Sequence, residues 1–335
     1  MNPLDARVYF EFRKGCYFLP VTGQPVRAAA GRNAVRRTIM RKVKVITDSC
    51  ADLSASQLEK WDIDYARMNT VEDGKESPAL LTWSAEEAHR LYETIRGGKR
   101  ITTTQVPVEE FNRIFTKYLD EGYDIVYIAC SSKQSGSVNT AAVVAKKLLE
   151  KYPEARIHAV DSLNATIGEG MLAMEAASAA KEGMDADCVR DRILKIRKTV
   201  QEFATVHTLE HLRKSGRVSA SSAFFGNLMG IKPILIADAA GAQAAFRKVK
   251  GRRKSFEEIV SLLKENIVNA SDQTVYIAHG DCSPDEIKEL ADLVEKEIKP
   301  KDISIGFIGP IVGASTGPDT IGVWAFGREV TYRAE

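Results

Sequence analysis

From Val43 onward, short β-branched runs alternate with stretches of helical period, and in the first half each run ends in a turn rich in Asp, Ser or Thr. Parallel strands need long crossovers between them, usually helices, so this alternation predicts a largely parallel α/β sheet. Val43 to Thr47, Ile63 to Met68, Ile125 to Ala129 and Ile157 to Val160 read as its strands. Arg100 to Gln105 reads as a polar-ended strand or loop. Between them, Ser54-Ala-Ser-Gln57 and Ser84-Ala-Glu-Glu87 have the hydroxyl and the amide or carboxylate that close a capping box. Open sheets of this kind gather ligand-binding groups at the strand ends, where the hydroxyl-rich turns lie.

The second half changes character. After helical stretches at Gly168 to Ala180 and Asp185 to Lys198, six strand-like runs follow: Ala204–Leu209, Ile231–Ala237, Gln243–Val249, Val275–Ala278, Ile303–Ile308 and Gly322–Phe326. Some are separated only by turns such as Ala239-Ala240-Gly241, so they cannot all be parallel; a mixed sheet with helices on one face is expected. The predicted class is α/β in two domains: residues 41–200 with a mostly parallel sheet and the hydroxyl loops, and residues 201–335 with a mixed sheet.

Residues 1–40 stand apart. They hold seven basic side chains against Asp5 and Glu11. Removing these from the totals of 47 and 45 leaves 40 basic and 43 acidic residues, a body near −3. The net +2 therefore resides in a basic extension, expected to be disordered or to precede a true start at Met40, and does not mark a nucleic-acid-binding body. Five scattered cysteines without a Cys-x-x-Cys pair argue against a disulfide framework or a structural zinc site, and fit a reducing cytoplasm. No apolar run approaches the roughly 18 to 20 residues that a spanning helix needs, so a soluble chain without stable membrane insertion is expected.

Several chemistries are excluded by what the chain lacks. There is no Gly-x-x-x-x-Gly-Lys-Ser/Thr loop and no Gly-x-Gly-x-x-Gly opening a helix. Gly313-Ala-Ser-Thr-Gly317 matches a nucleophile elbow, but all five histidines lie upstream of Ser315, where that fold needs one downstream. His207 and His211 have i, i+4 spacing without the Glu of a metalloprotease helix. The basic run Lys248 to Lys254 reads as a solvated turn.

The hydroxyls of Thr102, Thr103, Thr104, Ser131, Ser132, Ser135 and Ser137 remain, grouped at two strand ends that each precede a helix. Taken singly, each fits a cap or turn. Together they offer neutral donors beside two helix N-termini, whose free N–H groups suit an anionic head group. An enzyme using Ser135 or Asp161 with His279 on a small acyl or phosphoryl substrate is a second reading, and a binding module for another amphiphile a third.

An ordered series of motifs resembles the DegV family. It comprises Val45-Ile-Thr-Asp-Ser49 with Asp52-Leu53, Thr103-Thr-Gln-Val-Pro-Val-Glu-Glu-Phe111, Ser131-Ser-Lys-Gln-Ser-Gly-Ser137, and Val160-Asp-Ser162. Leu209 to Val218, Ile231-Lys-Pro-Ile-Leu235 and Ile308 to Gly313 with Gly317-Pro318 complete it, over about Val43 to Arg328. The resemblance implies two domains with a fatty acid tunnel between them and no cofactor. Some members are the acyl-carrying subunit of a fatty acid kinase, whose separate ATP-dependent kinase subunit phosphorylates the bound carboxylate.

By matching position, Thr103 and Ser135 would bond the carboxylate, with Thr104 and Ser132 as neighbours, and Arg217 would orient the head group or meet the kinase. The sequence departs from the family pattern in four places, one being Lys133-Gln134 where glycine and an apolar residue are usual. Val106-Pro107 replaces Pro-Ser, Asp319 replaces a common glycine, and Ser315 stands where kinase-linked members carry a histidine. A hydroxyl can donate to a carboxylate but cannot titrate near neutral pH. Phe224, Phe225, Leu228 and Met229 are candidate tunnel walls.

Overall fold

The computed structural model describes residues 41–219 and 230–334, so the basic extension and the four candidate wall residues from Phe224 to Met229 lie outside the described residues. The described residues from Lys42 onward pack as one compact unit.

Strand β1 (Val43–Asp48) is followed by α1 (Ala55–Trp61) and the short β2 (Asp64–Ala66). A hairpin, β3 (Asn69–Glu72) and β4 (Lys75–Pro78), then leads to α2 (Ala85–Arg96), β5 (Ile101–Thr104) and α3 (Val108–Asp120). The series continues with β6 (Asp124–Ala129), α4 (Ser137–Lys151), β7 (Ile157–Asp161), α5 (Thr166–Lys181) and α6 (Ala186–Ile196). β1, β2, β6 and β7 form a parallel sheet in the order β2-β1-β6-β7. Both predicted capping boxes form, at Ser54 with Gln57 and at Ser84 with Glu87.

All of β6 is buried, as expected of a parallel strand covered on both faces. Alternate side chains divide between those faces. Ile46, Ile125 and Tyr127 share a core with Phe111 and Ile114 of α3 and Ala141 of α4. Thr47, on the other face, donates to Glu169 of α5 at 2.7 Å.

The β3–β4 hairpin was not anticipated, although Asp73-Gly74 carries its signal. Both residues have positive φ (51° and 77°), as the two central positions of a type I′ turn require. β3 also pairs with β5, so Ile101–Thr104 belongs to a separate antiparallel sheet, β4-β3-β5.

The second half contains β8 (Val200–Thr205), α7 (Glu210–Ser215), β9 (Val218–Ser219), β10 (Ile231–Ala237) and β11 (Gln243–Lys250). After these come α8 (Arg252–Asn266), β12 (Thr274–His279), α9 (Pro284–Glu297), β13 (Asp302–Phe307), α10 (Pro310–Thr316) and β14 (Ile321–Phe326). The strands form a mixed sheet in the order β13-β12-β14-β8-β10-β11-β9. β8 begins four residues earlier than its apolar pattern suggested, because Gln201 and Glu202 are polar yet buried. Gln201 Nε2 donates to the Arg328 carbonyl at 2.6 Å, and Glu202 Oε1 accepts from Gln243 Nε2 at 2.7 Å. His207 lies ahead of α7 and not within it, which removes the helical histidine pair.

The mixed sheet also alternates. Phe203, Ile234, Ile236, Ala244, Ile321 and Val323 pack with Phe256 and Ile259 of α8 and Leu290 of α9. Their sequence neighbours Glu202, Ala204, Leu235, Gln243 and Trp324 point to the opposite face, which lines a cavity.

Candidate functional site

The cavity holds about 190 Å³. One wall is the mixed-sheet face just described. Facing it are residues at the carboxyl ends of the parallel strands: Cys50 after β1, Met68 after β2, Cys130 after β6, and Ala165 with Thr166 after β7. Thr103 and Thr104 enter from β5, Gln134 to Gly136 from the loop before α4, and Ile311, Val312 and Ser315 from α10.

Two loops of this wall are locked to each other. The Val106 N–H donates to Ser137 Oγ at 3.2 Å, and Gln105 Nε2 donates to Thr140 Oγ1 at 2.9 Å. Gly136 lies between them, and a Cβ there would come within 2.0 Å of Gln105 Oε1. The loop is also pinned to the mixed sheet: Ser131 Oγ donates to the Gly241 carbonyl at 2.7 Å. Gly241 has φ 84°, and a Cβ there would lie 2.4 Å from Ser131 Oγ, so glycine is needed at that contact.

α10 is anchored at its start, where the Gly309 N–H donates to Asp52 Oδ1 at 2.9 Å and Tyr92 OH donates to the Ile308 carbonyl at 2.7 Å. Ser315 thus projects from the last turn of a short helix. Asp319, at the position where glycine was expected, takes φ 60° and accepts from Arg96 Nη2 at 2.7 Å.

Thr103, Thr104, Ser135, Ser315 and Arg217 all line this one cavity. The hydroxyls of Thr103, Thr104 and Ser315 have no hydrogen-bond partner among the described residues, and Ser135 Oγ is 2.9 Å from Ser137 Oγ. Each of these four side chains is half-buried. Arg217 is exposed and donates to the Ser215 carbonyl.

Ser132 is exposed and outside the lining, where its N–H donates to Asp161 Oδ1 at 3.2 Å. Asp161 Oδ1 also accepts from the Leu163 N–H at 3.0 Å, so this carboxylate organises a turn. His279 packs its ring 4.6 Å from that of Phe307 and is not in the cavity wall with Ser135. Burial holds its pKa down to about 4. Ser135, Asp161 and His279 are therefore not gathered around one reaction centre.

Of the two helix starts expected at the hydroxyl loops, that of α4 borders the cavity through Gly136, whereas Pro107 and Val108 of α3 do not line it. The start of α5 takes the second place, through Ala165 and Thr166, and neither α4 nor α5 has a side-chain cap. At α4 the Ser137 N–H donates to Ser135 Oγ at 3.2 Å, and the positive ends of both helices add positive potential to the wall.

Glu202 was not anticipated either. Burial pushes its pKa up to about 6, opposed by the hydrogen bond from the Gln243 amide. A carboxylate inside an otherwise apolar run was the available signal.

The comparisons with known proteins agree on one family. A family model described as an uncharacterised protein of the DegV family matches residues 42–328, and the chain belongs to that family. A DegV domain-containing protein of Clostridium perfringens is 35% identical over 288 residues, covering 86% of this chain and 98% of the relative. Among solved structures, a DegV lipid-binding protein of Thermotoga maritima is 29% identical with a TM-score of 0.76, covering 87% of this chain and all of that one. A second Thermotoga maritima protein, whose structure is described as revealing fatty acid binding function, is 27% identical with a TM-score of 0.75, covering 86% and 100%.

Proposed function

We propose that this chain binds a long-chain fatty acid in the cavity, with Thr103 and Ser135 bonding the carboxylate and Thr104 and Ser315 beside them. The observation that carries this reading is the convergence of these hydroxyls, from three separate chain segments, on one otherwise largely apolar cavity. Neutral donors near two helix starts suit a single negative charge, and they release it more easily than a buried cation would. The tail gains about 0.8 kcal/mol for each methylene it buries. Lipid and fatty acid binding by the two Thermotoga maritima relatives supports the same assignment.

In this reading the protein is a cytoplasmic carrier rather than a catalyst. Residues 41–200 and 201–335 act as two lobes with the lipid tunnel between them, residues 1–40 are an appended extension, and Ser132 supports the loop from outside. Arg217, exposed beside the cavity, would meet a partner that acts on the head group: a separate ATP-dependent kinase subunit forming an acyl phosphate. Ser315 supports carboxylate binding and supplies no group that titrates near neutral pH.

Titration with oleate and with methyl oleate tests the head-group assignment. The acid should bind at least tenfold more tightly, since the ester loses the charge that the hydroxyls and helix starts receive. Equal affinity for the two would contradict it.

A further inference from the structure

Beneath the cavity floor lies a buried cluster that the fatty acid reading does not use. Asp48, at the end of β1, accepts at Oδ1 from the Cys50 N–H (2.9 Å) and at Oδ2 from Tyr127 OH (2.6 Å) and the Cys130 N–H (3.2 Å). These bonds fix the chain just past two adjacent parallel strands and turn Cys50 and Cys130 towards each other. From the first turn of α5, Glu169 completes the group. One oxygen accepts from Thr47 Oγ1 at 2.7 Å; the other, Oε2, is buried without a hydrogen-bond partner among the described residues. A ligand atom from each of Cys50, Cys130 and Glu169 lies within 4.8 Å of the other two. All three residues are at least 98% buried, both thiols are free, and both cysteines line the cavity.

We propose that Cys50 Sγ, Cys130 Sγ and the Glu169 carboxylate form a binding site for a borderline-soft divalent cation of the Zn²⁺ class, with its fourth position open to the cavity. Two sulfurs and one carboxylate oxygen are a donor set that such ions take, and a tetrahedral ion spaces its ligand atoms by roughly 3.4–3.8 Å. Small side-chain rotations within the observed 4.8 Å limit reach that spacing. The surroundings favour a cation. Glu169 Oε2 is a buried acceptor with no partner among the described residues, and the Asp48 carboxylate sits against the backbone of both cysteines. Coordination would take the two sulfurs as thiolates and Glu169 as a carboxylate, releasing their protons to solvent. Thr47, bonded to Glu169, and the Asp48 bonds to the two cysteine backbones would serve as the outer support.

The test uses the reduced full-length protein, stripped with chelator, loaded with Zn²⁺ or Co²⁺ and desalted. One ion per chain is expected, with a thiolate-to-cobalt charge-transfer band and a zinc X-ray absorption spectrum showing two sulfur neighbours and the remainder oxygen. The absorption spectrum is taken on the unmodified chain, so it needs no variant that folds. Cys50→Ser should weaken Zn²⁺ binding at least tenfold, and Cys188→Ser should leave it unchanged. Failure to retain an ion, an ion without sulfur neighbours, binding that survives Cys50→Ser at full strength, or binding lost in Cys188→Ser would each overturn the site.

Discussion

The two walls of the cavity are built on opposite plans. The hydroxyl wall draws short side chains from three segments, and its donors depend on loop geometry held by Val106–Ser137, Gln105–Thr140 and Ser131–Gly241. The mixed-sheet wall presents every second residue of adjacent strands, so its shape is set by a rigid sheet whose other face is core. Orientation belongs to the first wall and tail volume to the second. Binding strength should therefore be more sensitive to bulk on the sheet than to the loss of one hydroxyl.

Filling the sheet wall should give the largest effect. Ala204→Phe, which projects a ring from β8 into the cavity, would displace about four methylenes at ~0.8 kcal/mol each, a loss of about 3 kcal/mol or roughly 200-fold in fatty acid affinity. Calorimetric titration of the variant with oleate checks it, with thermal melting as the folding control; unchanged affinity would break the division between the walls. Thr103→Ala or Ser135→Ala removes one hydrogen bond and should cost about 1–3 kcal/mol of affinity each, read in the same titration. Equal losses for methyl oleate would detach these hydroxyls from the carboxylate.

The third prediction concerns Glu202 of the sheet wall. Burial raises Glu202 from the ordinary carboxyl range to about 6, so its protonated form is favoured in the folded state. Its contribution to stability is full below the unfolded value near 4.5 and is lost as pH rises through 6. Glu202→Gln, which keeps an oxygen for the Gln243 amide, should abolish that change and leave the variant about 2 kcal/mol more stable than the parent at pH 8 than the acid-pH comparison gives. Denaturant unfolding at pH 4.5 and pH 8 measures this. The smallest effect is expected at Ser132, whose side chain lies outside the wall. Ser132→Ala should change oleate affinity by less than about 0.5 kcal/mol, and a larger change would bring Ser132 back into the head-group site.

What could be read from the sequence follows the range of the interactions involved. Periodicity placed most strands, and the local capping boxes formed as expected, because both depend on residues a few positions apart. The hydroxyls of Thr103 and Ser135 were visible as local hydroxyl runs ahead of predicted helices, although Thr103 belongs to the antiparallel sheet and not to the open parallel one. Ser315 was found by motif order, but its setting on α10 depends on the remote anchors Asp52 and Tyr92. Glu202 needed the knowledge that β8 starts at Val200, which buried polar pairs concealed. Cys50 and Cys130 are eighty residues apart, and they meet only because β1 and β6 are neighbours in the sheet. No spacing rule could have joined them.

The central claim is that a fatty acid occupies the cavity between these walls. Denaturing the purified protein, extracting it and analysing the lipid by mass spectrometry tests this most directly. About one long-chain fatty acid per chain is the predicted result. A protein that comes out empty, and that also fails to bind added oleate, would contradict the account.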